Sequence, residues 1–151
     1  MECMDKRTDT HAEKYRQPPS SIEEADDHIG ARPTPRDVIK HIVVSGRKNH
    51  YAVTKRCEAG ELLRICQGVF LEITFLLGLE HWNAIRAVEI ARIYAVVHRR
   101  QTAVVCGLAA ALVNGADTHG IVTTIDINCR SNARGRAVDL PRVHLPDGTV
   151  V

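Results

Sequence analysis

A chain of 151 residues, 44% hydrophobic but only 4% aromatic, can hold one ordinary domain or two very small ones around a core of Val, Ile, Leu and Ala. A net charge of +2 does not by itself announce a nucleic-acid binder. Five cysteines without a CxxC pair or a recognisable signal peptide argue against a disulfide framework or zinc finger, so reduced cytosolic thiols are expected.

The charges are unevenly placed. Residues 1–33 carry five Lys/Arg against eight Asp/Glu, whereas residues 34–64 carry seven against three. The first segment reads as an acidic tail, largely disordered, because it has too few large apolar side chains to offset the entropy of ordering. Within it, Ser21–Ile29 (SIEEADDHI) has the acidic first turn of a short helix.

Order is expected from Thr34. Thr34-Pro35-Arg36-Asp37 offers a capping hydroxyl, a proline at the first helical position and a carboxylate at the third. Val38, Ile39, Ile42 and Val43 then make one apolar helical face, with Ser45-Gly46 as its stop. A second helix is expected over Asn49–Ala59, with Ala52, Val53 and Cys57 inward and Gly60 closing it. Leu63 and Ile65 alternate with Leu62 and Arg64 in a short strand. Cys66-Gln67-Gly68 reads as a tight turn, and Val69–Ile73 as the return strand. A basic helix, a glycine stop and a hairpin together have the shape of a winged helix-turn-helix over residues 34–76.

Residues 77–151 read as a small α+β region. Leu79–Tyr94 is helical, with Trp82, Ile85, Val88 or Ile90, and Ile93 as its apolar stripe. Arg86, Glu89 and Arg92 fall off that stripe, placed to pair along the surface. Ala95-Val96-Val97 reads as a short buried strand. Gln101–Val113 reads as a small-residue helix ending at Asn114-Gly115, and its uncharged apolar run Ala103–Val113 falls short of the roughly 20 residues that cross a membrane. Ile121–Asn128 alternates and is rich in β-branched residues, a strand signature. A last strand is expected near Arg142–Leu145.

For chemistry, the candidates are cationic and polar. Lys48, Asn49, His50, Thr54, Lys55 and Arg56 lie on or beside the second helix, and Arg64 lies in the hairpin. Lys and Arg supply phosphate contacts, while Arg, Asn and His can read base edges. The same pattern also suits a solvated surface helix. Arg99, Arg100, Arg130, Arg134, Arg136 and Arg142 form a second basic set. His98, Cys106, His119 and Cys129 match no zinc spacing. Asp126 and Asp139 lack the partner groups of a two-metal nuclease, and Asp126 should face solvent. No phosphate-cradling glycine loop or GxSxG nucleophile motif occurs. No cofactor, metal or enzymatic activity is expected.

EAGELLRICQGVFLE resembles the end of the winged-helix domain in AbiEi-type antitoxins of actinobacteria, through Gly60, Leu62, Arg64, Ile65, Gly68, Val69 and Phe70. HWNAIRAVEIARIYAVVHRRQTAVVCGL looks like that family's next segment, through Trp82, Arg86, Ala87, Ala103, Gly107 and Leu108. IVTTIDINCRS is similar to the strand that follows. The resemblance covers about residues 40–140. It implies a cytoplasmic transcriptional regulator that binds double-stranded DNA at its own promoter. It also implies a nucleotidyltransferase-like toxin, countered without a stable complex. Two departures stand out: only Ser21–Ile29 could supply the family's preceding helix, and relatives continue beyond the point where this sequence stops. A truncated nuclease-related protein and an interaction module docking through Ala103–Val113 are the alternatives.

Overall fold

The computed structural model describes residues 31–100, 103–118, 120–129 and 132–151. The acidic segment and its Ser21–Ile29 helix therefore lie outside the described residues, as do His119 and Arg130. The described residues are mixed α+β, with two three-stranded antiparallel sheets and five helices.

Helix α1 (Pro35–Lys40) begins as its sequence dictates. The Asp37 amide donates to Thr34 Oγ1 at 3.3 Å, and the Thr34 amide donates to Asp37 Oδ2 at 3.2 Å, a reciprocal capping box with Pro35 in the first turn. It does not continue to Ser45-Gly46. The His41 amide closes back on Val38 O at 3.0 Å, and Ile42–Val44 becomes strand β1. Three consecutive β-branched residues pack better on a pleated surface than in a helix.

Helix α2 (His50–Glu58) falls where the sequence put it, and Gly60 takes the positive φ of 73° that ends it. Val53 is buried, Cys57 partly so, but Ala52 is exposed. Strands β2 (Leu62–Cys66) and β3 (Val69–Glu72) form the expected hairpin, with an irregularity between Arg64 and Cys66. The strand order is β1-β3-β2. Leu62 is 6% exposed, because α2 packs on β2, while a later helix, α4, packs on β2 and β3. The return strand stops at Glu72, because Ile73–Leu77 forms a short helix, α3.

Helix α4 (His81–His98) is the central helix of the described residues. It touches α1, β2 and β3 as well as β4 and α5 of the second half. A helix covered on nearly all sides has no single apolar stripe. Three departures from the expected pattern lie along α4, and the covering accounts for the last of them. Trp82, placed in the stripe, is 77% exposed. Ala95-Val96-Val97 continues the helix rather than forming a strand. Glu89 and Arg92, expected on the surface, are 5% and 1% exposed.

The buried pair is satisfied through backbone. Glu89 Oε1 accepts from the Val122 amide at 2.8 Å. Arg92 donates from Nη1 to Val122 O at 3.0 Å and from Nε to Pro141 O at 2.6 Å. Arg86 donates from Nη2 to Leu112 O at 3.0 Å. Burial raises the Glu89 carboxyl above its ordinary range, opposed by the Val122 amide and by Arg92 and Arg86, and burial lowers the Arg92 guanidinium.

The second sheet has the order β4-β5-β6, from Ala103–Cys106, Thr124–Cys129 and Asn132–Asp139. The single helix expected over 101–113 is instead strand β4 followed by helix α5 (Gly107–Val113). Gly107, at φ 63°, makes the break. The β5 strand starts at Thr124, near the expected position. Near Arg142–Leu145 there is only an isolated bridge, His144 to Val150. One buried apolar cluster runs from Val38 through α4 to Val151 and joins both sheets.

Candidate nucleic-acid interface

Helix α2 and the β2–β3 hairpin enclose an open cleft of about 1210 Å³. Its floor is apolar: Val53 and Cys57 from α2 meet Leu62 and Phe70 from the hairpin. Its rim carries Arg47 before α2, His50 and Thr54 on α2, Arg64 on β2, Gln67 at the turn and Arg99 at the end of α4. Among the described residues, no Asp or Glu lines it. Three arginines around a cavity without lining carboxylates favour an anionic ligand.

Local hydrogen bonds set the shape of this cleft. The Ser45 amide donates to Gly68 O at 2.8 Å, tying the hairpin turn to the segment leading into α2. Asn49 braces that segment: its Oδ1 accepts from the Gly46 amide at 2.6 Å, and its Nδ2 donates to Val44 O at 2.9 Å. Ser45 Oγ and His50 Nδ1 lie 3.3 Å apart. On the far side, the Arg99 guanidinium donates to Gln67 O. Gly68, at φ 80°, makes the turn between them possible.

The seven residues singled out in the sequence divide into three groups. His50, Thr54 and Arg64 line the cleft, although Thr54 Oγ1 also donates to His50 O at 2.9 Å within its own helix. Lys48 and Lys55 are exposed, and the Lys55 ammonium sits 5.1 Å from the centre of the Tyr51 ring. Asn49 and Arg56 are engaged by the protein. Arg56 donates from Nε to Glu61 Oε2 and from Nη2 to Glu72 Oε1, each at 2.9 Å. Glu72 Oε2 also meets His41 Nδ1 at 3.0 Å, and His41 stacks on Phe75 with ring centres 4.3 Å apart. The Arg56 hydrogen bond, followed by that of His41, holds the Glu72 carboxyl below the usual carboxylate range.

Sequence reasoning missed Arg47, Gln67 and Arg99 as parts of one rim. Arg47 adjoins the basic run and could have been found by charge alone. Arg99 stood in the second basic set, and only the path of α4 brings it to the hairpin turn. Of that second set, Arg136 and Arg142 are also exposed, away from the cleft lining. Asp126 is exposed on β5. Among the described residues, no three His, Cys, Asp or Glu side chains are grouped to hold a metal ion, and no helix is long and apolar enough to cross a membrane. Searches against family models, curated proteins and solved structures give no match to this chain.

Proposed function

We propose that this protein is a DNA-binding transcriptional regulator with a winged helix-turn-helix, α2 being its recognition helix and the β2–β3 hairpin its wing. The element order α1-β1-α2-β2-β3 and the strand order β1-β3-β2 support that reading. The carrying observation is the cleft between helix and hairpin, rimmed by Arg47, Arg64 and Arg99 and lined by no described carboxylate. In this reading, the exposed residues Lys48, Tyr51 and Lys55 meet the major groove, and the rim arginines grip phosphates. The protein binds rather than catalyses.

The resemblance to AbiEi-type antitoxins extends the proposal to autoregulation of a toxin–antitoxin operon, with a nucleotidyltransferase-like toxin as functional partner. A gel shift on DNA upstream of the chain's own gene tests the reading. Binding should weaken steeply with salt, and Lys55→Glu combined with Arg64→Glu should abolish it. Unaltered binding by that double variant would remove α2 and the hairpin from the interface.

A further inference from the structure

We infer that Arg99 both positions the wing and contacts a DNA phosphate, so that helix α4 supplies the third wall of the DNA site. The inference rests on the DNA-binding reading above and adds to it a residue from outside α1–β3. The hairpin turn carries two consecutive carbonyls, and each is taken. Gly68 O accepts from the Ser45 amide at 2.8 Å, which ties the turn to the entry of α2. Gln67 O accepts from the Arg99 guanidinium, which ties the same turn to the end of α4. The hairpin is thus held from both sides at the mouth of the cleft.

Only one of the five N–H donors that a guanidinium carries is needed for Gln67 O. The Arg99 side chain is exposed and lines the same cleft as Arg47 and Arg64. A guanidinium bonded to a carbonyl on one edge can present its other edge to an oxyanion in a fixed direction, which an unattached surface arginine cannot do. Helix α4 is itself fixed upstream, because Glu89 and Arg92, about three and two turns earlier, are bonded to Val122 and Pro141. The position of the wing is therefore set by α4 as well as by the entry of α2.

The test is equilibrium binding of the full chain to a labelled mixed-sequence duplex over a salt series, for wild type, Arg99→Ala and Arg99→Lys. Amide exchange at Gly68 and Val69 is followed in parallel. Each phosphate contact contributes about 0.9 to the slope of log affinity against log salt. We expect Arg99→Ala to weaken binding about tenfold, to reduce that slope by about 0.9 and to speed exchange at the turn. Arg99→Lys should restore the slope but not the full affinity, since an ammonium keeps the charge without the planar fork. Unchanged affinity and slope in Arg99→Ala, with the wild type binding duplex, would overturn the inference while leaving the DNA reading intact. Weaker binding at an unchanged slope would remove the phosphate contact and so overturn it as well. Failure of the wild type to bind duplex at any salt would overturn the reading and the inference together.

Discussion

Arg56 Nη2 donates to Glu72 Oε1 at 2.9 Å, joining the last turn of α2 to the last residue of β3. A candidate recognition helix is thereby anchored to the sheet at one end, while its Asn49 end is anchored to β1 through Val44 O. The orientation of α2 against the hairpin follows from these two ties. The first prediction concerns the Arg56 tie. Glu72 has a lowered carboxyl pKa in the folded state, so its contribution is fully present above the unfolded value of about 4.3 and is lost as pH falls through the lower folded value. Urea midpoints should decline on acidification below about pH 4.3 in the wild type, and Glu72→Gln should flatten that decline. A parallel decline in the variant would show that Glu72 is not its source.

Glu89 carries the opposite sign. Its folded pKa is raised, so its contribution is greatest below the unfolded value and is lost as pH rises through the folded one. Glu89→Gln, which keeps an oxygen to accept from the Val122 amide, should remove this loss. Arg92→Leu should cost about 2–5 kcal/mol in urea unfolding, because the Val122 and Pro141 carbonyls lose their buried donor and the Glu89 carboxyl loses one of the two cations, with Arg86, that favour its charged form. The double variant Glu89→Gln with Arg92→Leu should recover part of that cost. A single-variant cost below about 1 kcal/mol would show that the pair is solvated.

Two glycines allow a clean comparison of backbone strain. Gly60 sits at φ 73° with open space within 4 Å of the point a Cβ would occupy, and Gly107 sits at φ 63° with Asp126 Oδ2 at 3.4 Å from that point, an ordinary contact. Substitution by Ala should therefore cost only the left-handed backbone penalty at both positions, about 1–2 kcal/mol each. Thermal unfolding should show similar losses for the two variants. A much larger loss at Gly107 would mean that the turn from β4 into α5 tolerates no adjustment.

Within the proposed interface, Arg47→Ala and Arg64→Ala should each lower the salt slope of duplex binding by about 0.9, as loss of one phosphate contact requires. Thr54→Ala should alter the slope little, because a neutral hydroxyl displaces no counterion. Fluorescence anisotropy over a salt series separates these effects, and equal slopes in all three variants would move the phosphate grip elsewhere.

Sequence reasoning found the parts of the fold whose causes are local. Thr34, Pro35 and Asp37 announce a helix start with side chains only three residues apart, and Gly60 and Gly68 mark turns that need a positive φ. The α2-to-hairpin run was legible for the same reason. Burial was not. The periodic reading of α4 assumed one solvent face, whereas elements from both halves cover the helix, so Trp82 was placed inward and Glu89 and Arg92 outward. The extension of α1 through Ile42–Val44 failed because pairing with Val69–Leu71, about 27 residues away, decides that segment. Arg99 belongs to the site through that same long-range packing. Periodicity carries no record of which elements will cover a helix.

The bonding of Val122 reaches further than its two contacts suggest. Its N–H and C=O both end on side chains of one helix, four residues of sequence spanning donor and acceptor. That amide proton can reach water only when α4 and the segment before β5 move apart, whatever happens to either sheet internally. A single exchange rate at Val122 thus reports the docking of α4 on the segment before β5, separately from the melting of either sheet.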